Sequence, residues 1–243
     1  MSRELDLLTS GCPAWFEIEE RASLGLVGRA RAGLWVEAGV RLRVIDGRPP
    51  RVREAAVGTV FPAACSERHI EEGGLFCTGL HTTPIRTSRD AARWWGKLEQ
   101  YLLCQAAAES TRVWPLAHGL DHGAAGEPHR RALRLAEKLG VEEDYLKAYL
   151  GEPSWFTSTG LDLLGDKRTA GRSKQPRLRR PKVCRCKDRI RLLEIVMLER
   201  VRRRELGKFW DSMRRSKRPC CGTMRSCPLA KSPPIADLER NAA

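Results

Sequence analysis

Charge is divided unevenly along this chain of 243 residues, and the division constrains its domain organisation more than any other feature. Residues 166–218 carry 21 Lys and Arg against 6 Asp and Glu, whereas residues 1–165 carry 20 against 22. The net charge of +14 therefore comes almost entirely from one segment. Because such a shift indicates a domain boundary, we expect a near-neutral domain over residues 1–165, a basic linker over residues 166–183, and a basic, helical, cysteine-rich tail over residues 184–243.

The sequence shows no signal for export or membrane insertion. Its N-terminus lacks a basic segment followed by an apolar run, and no apolar run approaches the roughly 18 residues of a membrane span. We therefore expect a cytoplasmic protein without a membrane partner. Because thiols stay reduced in that compartment, the nine cysteines favour metal binding or catalysis over disulfide bonds.

The hydrophobic pattern of the near-neutral domain predicts an α+β fold. Residues 3–21 contain short apolar groups and predict an opening helix that Gly11 and Pro13 interrupt. Residues 40–45 alternate apolar and polar side chains, which is the period of a half-buried strand, and residues 52–60 predict a further strand. Together these strands predict an antiparallel meander.

Helical spacing of apolar residues follows the meander. Ser88 is a plausible N-cap for a helix that extends to residue 106, and Gly140 is a plausible end for a second helix. The further helices are predicted over residues 127–140, 141–150 and 188–217.

Five of the nine cysteines lie in the tail, and their number predicts a structural zinc site. The predicted four-thiolate ligand set is Cys184, Cys186, Cys221 and Cys227, with Cys220 as the substitute for Cys221. A straight helix over residues 188–217 would be about 45 Å long and would separate the two groups of cysteines. A shared site therefore requires a helical hairpin, with its bend near Gly207. Separate buried or free thiols and a redox pair at Cys220–Cys221 are alternatives.

The basic character of the tail has three interpretations. Lys and Arg at this density attract phosphates through counterion release, so nucleic acid is one candidate partner. The same charges fit a solvated helix face or a surface that docks an acidic protein. Among the charges only Phe209 and Trp210 supply aromatic rings, so base stacking is not indicated.

The segment of residues 67–80, ERHIEEGGLFCTGL, combines a histidine, three glycines and a cysteine. Ile70, Gly74 and Cys77 have the spacing Ile-x3-Gly-x2-Cys. This segment resembles the active-site segment of ubiquitin-conjugating (E2) enzymes, and it is similar to divergent bacterial members of that family, some of which carry a cysteine-rich tail. The resemblance is specific over residues 61–80 and looser over residues 3–150.

The resemblance implies an E2-like meander with flanking helices and a transferase activity that needs no cofactor for catalysis. Cys77 would accept the C-terminus of a ubiquitin-like modifier from an E1-like activating enzyme as a thioester and pass it to an amine on a target protein. The implied setting is a bacterial ubiquitin-like or antiphage system.

Three further residues have expected roles in this reaction. His69 stands where the family has its oxyanion-binding asparagine, so its N–H would bind the oxyanion or its charge would lower the pKa of the Cys77 thiol. Asp121 and His122 are candidates for activating the attacking amine.

Other functions fit the same residues. Cys77 can be a buried thiol without chemical function, or a ligand of a catalytic zinc site in a hydrolase. The ligand set of that site would be Cys65, His69, Cys77 and His81. The alternative function for the whole chain is a non-enzymatic, zinc-containing adaptor that binds nucleic acid through its basic tail.

Overall fold

The computed structural model of the protein describes residues 2–35, 37–79, 84–115, 121–157, 186–225 and 227–230. The chain divides into two compact units. Unit 1 comprises Met1–Gly119 and Pro219–Ala243, and unit 2 comprises Leu120–Arg218. The boundary expected at residue 165 and the expected linker both lie outside the described residues and stay predictions.

Unit 1 contains the meander that the sequence predicts. Helix α1 (Arg3–Ser10) comes first, and the Ser2 hydroxyl accepts the Leu5 N–H at its N-terminus. Four strands follow, and they pair antiparallel in chain order. They are β1 (Phe16–Ala22), β2 (Gly25–Ala30), β3 (Val40–Ile45) and β4 (Arg51–Glu54). The predicted α+β class is therefore confirmed.

The predicted opening helix is wrong beyond residue 10. α1 ends at Ser10, and the residues from Phe16 onward form strand β1. Pro13 cannot continue a helix because it has no N–H and its ring clashes with the preceding turn. Phe16 and Ile18 alternate with acidic residues, and this period of two is typical of a strand.

Strand β4 is also shorter than the predicted residues 52–60, because the chain folds around the carboxylate of Glu54. This buried group accepts the N–H groups of Gly58, Thr59 and Val60 at 3.1, 3.2 and 2.5 Å. The backbone is therefore drawn into a loop that leads to the segment carrying Cys77.

Helix α2 (Ser88–Thr111) closes the core of unit 1. Its N-cap is Thr87 rather than the predicted Ser88, and Thr87 forms a capping box with Asp90. Trp95 and Leu98 of α2 belong to the same apolar cluster as the inward side chains of β3. The Trp95 indole N–H also donates to the Leu8 carbonyl at 3.0 Å, which ties α2 to α1.

Unit 2 is helical in its described part and has an apolar core of its own. Its helices are α3 (Gly126–Leu139), α4 (Glu142–Tyr149) and α5 (Cys186–Arg215). α3 ends, as predicted, at Gly140, which adopts the left-handed conformation with φ +63°. Tyr145, Phe156, Leu192 and Ile195 are among the buried residues of its core.

The hairpin predicted near Gly207 is wrong, because α5 continues through this residue as one helix of 30 residues. A glycine inside a helix costs about 1 kcal/mol relative to alanine. Burial of Leu192, Ile195 and Val196 in the core of unit 2 outweighs that cost.

Helix α5 is long but strongly charged. Of its 30 residues, 15 are Asp, Glu, Lys or Arg. Several pair along the helix at a spacing of three residues, including Arg191 with Asp188 and Arg214 with Asp211. None of the helices in the described ranges combines the length and the apolar character that crossing a bilayer requires.

Two leucines of α2 provide a test of this packing. Leu98 is fully buried, whereas 44% of Leu103 is exposed. We expect Leu98→Ala to lower the free energy of unfolding by about 2–5 kcal/mol, because it leaves a cavity in the core. Leu103→Ala should change it by about 0.5 kcal/mol or less. Urea unfolding followed by tryptophan fluorescence measures both, and equal losses would contradict the packing described for α2.

Candidate active site

Cys77 ends an irregular segment that begins at Cys65 and lies beside β4. Cys65 and Ile70 exchange two backbone hydrogen bonds, each 2.9 Å long. The Cys77 N–H donates to the His69 carbonyl at 2.8 Å, and the preceding residue donates to the Val52 carbonyl of β4 at 2.9 Å. The backbone on the N-terminal side of Cys77 is therefore fixed by main-chain contacts.

Arg68 anchors this segment to α2, although its own side chain is almost completely buried. Its guanidinium donates to the Gln105 side-chain oxygen at 2.7 Å and to the Glu109 carboxylate at 2.8 Å. In return, the Gln105 amide donates to the Arg68 carbonyl at 2.7 Å. The Tyr101 hydroxyl lies 3.1 Å from the carbonyl oxygens of both Arg68 and His69 and donates toward them.

None of these positioning residues was predicted from the sequence, although one local signal indicates them. Tyr101 and Gln105 are four residues apart and therefore share one face of α2. Gln105 is fully buried on that face among apolar residues. A buried glutamine needs hydrogen-bond partners, so its position in an apolar stripe indicates a polar contact across the core.

Gly74, which the resemblance aligns with a family glycine, has a steric reason to be glycine. Its φ of +77° favours glycine, and a Cβ atom there would lie 2.8 Å from a methyl group of Val57. The turn over residues 72–74 thus packs closely against the loop that follows β4.

The Cys77 thiol is half-buried, and burial raises its pKa above the ordinary value. The Gly79 N–H bonds to the sulfur and opposes this rise, the Glu71 carboxylate adds to it, and the Arg51 guanidinium opposes it. The net direction is upward, so the thiol is protonated at neutral pH. The role of His69 in lowering the pKa of Cys77 stays a prediction.

His69 is also buried, and its backbone has a φ of +53°. The imidazole packs against the Trp114 ring with the ring centroids 4.9 Å apart. The contact with Cys77 described above is made by the His69 carbonyl. The role of the His69 ring as an oxyanion donor stays a prediction.

Asp121 and His122 belong to unit 2, whereas Cys77 and His69 belong to unit 1. The Asp121 side chain is 3% exposed and accepts a hydrogen bond from Arg202 at 2.9 Å. Burial raises the pKa of Asp121, and the Arg202 charge opposes that rise. His122 stacks on Phe209 with the ring centroids 4.5 Å apart, and burial lowers its pKa to about 4.

These contacts give both residues a place in the packing of unit 2. Arg202 joins Asp121 to Glu199, another buried carboxylate, through bonds of 2.7 and 2.8 Å. His122 is neutral at physiological pH because of its burial. A catalytic role for either residue stays a prediction.

The structure places Cys65 beside Cys221, with their sulfur atoms 2.8 Å apart. Of the predicted zinc ligands, Cys184 lies outside the described residues, as does the side chain of Cys186. Cys227 is buried in the core of unit 1.

The alternative zinc site included His81, which also lies outside the described residues. In the ranges that the structure describes, no three or more His, Cys, Asp or Glu side chains are already arranged as a metal site.

The predicted zinc site depends on the hairpin that the structure lacks. α5 is about 45 Å long, and the six residues from Arg215 to Cys221 span at most about 20 Å. Cys186 and Cys221 therefore need a break in α5 before they can bind one metal ion. The predicted four-cysteine zinc site stays a prediction, and it requires that α5 be broken.

Comparison with known families gives two matches that adjoin along the chain. The family described as "Prokaryotic E2 domain" matches residues 18–116, and the one described as "Cysteine-rich domain, C-terminal to E2 domain" matches residues 121–229. The chain therefore contains a region similar to the prokaryotic E2 domain, followed by a region similar to the cysteine-rich domain. The resemblance seen in the sequence is thereby confirmed. Neither the curated proteins nor the solved structures gave a match.

The two matches divide the residues described above. The E2 domain contains Cys65, His69 and Cys77, together with the α2 residues that hold their backbone. The cysteine-rich domain contains Asp121, His122 and the five tail cysteines. The last part of the cysteine-rich domain, residues 219–229, belongs to unit 1 by its contacts. Unit 1 also contains the region that matches the E2 domain.

Arg202 tests the ion-pair role of Asp121. Arg202→Met should lower the free energy of unfolding by about 3–5 kcal/mol, because it leaves the carboxylates of Asp121 and Glu199 buried with less compensation. Arg204→Met is the matched control, since that side chain is 64% exposed on the same helix. Circular dichroism during urea unfolding measures the helical signal, and an unchanged Arg202→Met midpoint would contradict the structural role.

Proposed function

We propose that this E2-family protein carries the C-terminus of a ubiquitin-like modifier as a thioester on Cys77 and transfers it to an amine of a target protein. The observation that carries the proposal is the position of Cys77. It is half-buried at the end of a segment held by β4 and α2, within a chain region that matches the prokaryotic E2 domain. A reactive cysteine needs such positioning relative to its incoming carbonyl.

The first step transfers the modifier from an activating enzyme. The Cys77 sulfur loses its proton and attacks the thioester carbonyl on an E1-like enzyme, and the thiol of that enzyme leaves. The raised pKa of Cys77 keeps the resting thiol protonated, which protects it from oxidation. It also makes the thiolate, once formed, a stronger nucleophile.

The second step transfers the modifier to the target. A neutral amine attacks the Cys77 thioester carbonyl, loses a proton, and forms an amide bond as the Cys77 sulfur leaves. The negative oxygen formed during the attack needs a hydrogen-bond donor. We assign this role to the His69 imidazole, because it occupies the place of the family's asparagine next to a backbone that α2 fixes.

The partners follow from this reaction. They are an E1-like activating enzyme, a ubiquitin-like modifier and an amine-bearing target, and we place them in a bacterial ubiquitin-like or antiphage system in the cytoplasm. We also assign a structural zinc ion to the cysteine-rich domain.

Substitution of Cys77 tests the reaction directly. With ATP and the activating enzyme and modifier from the same bacterium, the unmodified protein should form an adduct that a thiol reductant releases. Cys77→Ser should form an oxyester that resists the reductant but is cleaved by mild base, because an ester replaces the thioester. Cys77→Ala should form neither.

Cys12→Ala is the matched control, since Cys12 lies in unit 1 outside the segment and is also a free, partly buried thiol. It should form the same adduct as the unmodified protein. Reductant-sensitive adduct formation by Cys77→Ala would contradict the proposal. Non-reducing gel electrophoresis and intact mass measurement give both readouts.

A further inference from the structure

Four cysteines that are far apart in the sequence lie together in unit 1. Cys65 belongs to the E2 domain, and Cys220, Cys221 and Cys227 belong to the cysteine-rich domain. The Cys65 and Cys221 sulfur atoms are 2.8 Å apart. Cys220 hydrogen-bonds the Cys227 thiol, whose pKa rises to about 11 mainly through burial. All four contribute to or pack against the same apolar cluster and are free thiols.

Each of the four sulfur atoms accepts a backbone N–H from two or three residues further along the chain. The donor and acceptor pairs are Gly222 with Cys220 at 3.3 Å, Thr223 with Cys221, Leu229 with Cys227, and Arg68 with Cys65. Such bonds favour the thiolate form of a cysteine and orient it as a ligand. The φ of +74° at Gly222 gives the turn after Cys220 and Cys221 the conformation it needs.

We propose that Cys65, Cys220, Cys221 and Cys227 form a structural Zn²⁺ site that fastens the end of the cysteine-rich domain to the active-site segment. Four thiolates in a tetrahedral arrangement are a standard ligand set for structural zinc. Binding releases the thiol protons to solvent, so no oxidant or reductant takes part. This ligand set replaces Cys184 and Cys186 of the sequence prediction by Cys65 and Cys220.

The sulfur atoms must spread before they can share an ion. Two thiolates bound to one zinc at about 2.3 Å in a tetrahedron lie about 3.8 Å apart. The Cys65 and Cys221 sulfurs are closer than that, and within the described residues the four side chains do not have coordination geometry. Binding would therefore move these two sulfur atoms apart by about 1 Å.

The surroundings are suited to the charge of such a site. Four thiolates around Zn²⁺ carry a net charge of −2, and the positively charged Arg68 guanidinium lies near Cys221.

The site would stabilise the segment that carries Cys77. Cys65 pairs with Ile70, and Ile70 in turn forms a β-bridge with Phe76, the residue before Cys77. A metal ion bound to Cys65 would therefore restrain the backbone near Cys77, because two successive β-bridges connect Cys65 to the residue before Cys77. The zinc site itself does not depend on the proposed transferase activity.

Zinc content of the purified full chain tests the proposal. We expect one Zn²⁺ per chain in the unmodified protein and in the Cys184→Ser/Cys186→Ser control, and loss of bound zinc in Cys65→Ser and Cys227→Ser. Inductively coupled plasma mass spectrometry measures the metal. Zinc that survives Cys65→Ser but is lost from the Cys184→Ser/Cys186→Ser protein would overturn the assignment in favour of the tail cysteines.

A second measurement needs no substitution and therefore does not depend on the variants folding. Iodoacetamide labelling of the unmodified protein, followed by peptide mass spectrometry, should leave the four proposed ligands unlabelled before treatment with a chelator and labelled after it. Cys12 should react equally in both conditions. Labelling of the four cysteines that the chelator does not change, or a Cys65–Cys221 disulfide in the purified protein before chelation, would overturn the proposal.

Discussion

The geometry around Cys77 depends on the hydrogen bonds that α2 makes to the backbone of Arg68 and His69. Tyr101 and Gln105 hold the two carbonyl groups, and the buried Arg68 guanidinium is satisfied by Gln105 and Glu109. A buried cation without partners would cost several kcal/mol, so this network favours one position of the segment. Cys65 and Cys77 flank the anchored residues, and both take their places from it.

The contacts of residues 219–229 assign them to unit 1, whereas the family match assigns them to the cysteine-rich domain. By sequence, residues 219–229 belong to the cysteine-rich domain, yet Met224 and Cys227 are buried in the core of unit 1. Their main chain is held there as well, since the Arg225 N–H donates to the Arg112 carbonyl at 2.9 Å. The cysteine-rich region therefore supplies part of the core of unit 1, the unit that also contains the segment from Cys65 to Cys77. This arrangement gives a physical reason for the two domains to occur in one chain.

Local patterns predicted the parts of the fold that local physics determines. The alternation of residues 40–45, the stop at Gly140 and the spacing from Ile70 to Cys77 were all visible in the sequence. Contacts between distant residues were not: Cys65 and Cys221 are 156 residues apart, and no periodicity connects them. The prediction of a hairpin was wrong for a related reason. It was based on the positions of the cysteines, whereas the buried face of α5 favours one continuous helix. The strand at Phe16 differs from the predicted helix because Phe16 and Ile18 alternate with acidic residues, a period of two that favours a strand.

The central claim is that the reactive sulfur is that of Cys77 among nine cysteines. The most direct measurement is peptide mapping, by mass spectrometry under non-reducing acidic conditions, of the adduct formed with the activating enzyme, the modifier and ATP. The account predicts the C-terminal residues of the modifier on the peptide that contains Cys77, and their release by neutral hydroxylamine. A modifier attached to another cysteine, with Cys77 unmodified throughout the reaction, would contradict the account.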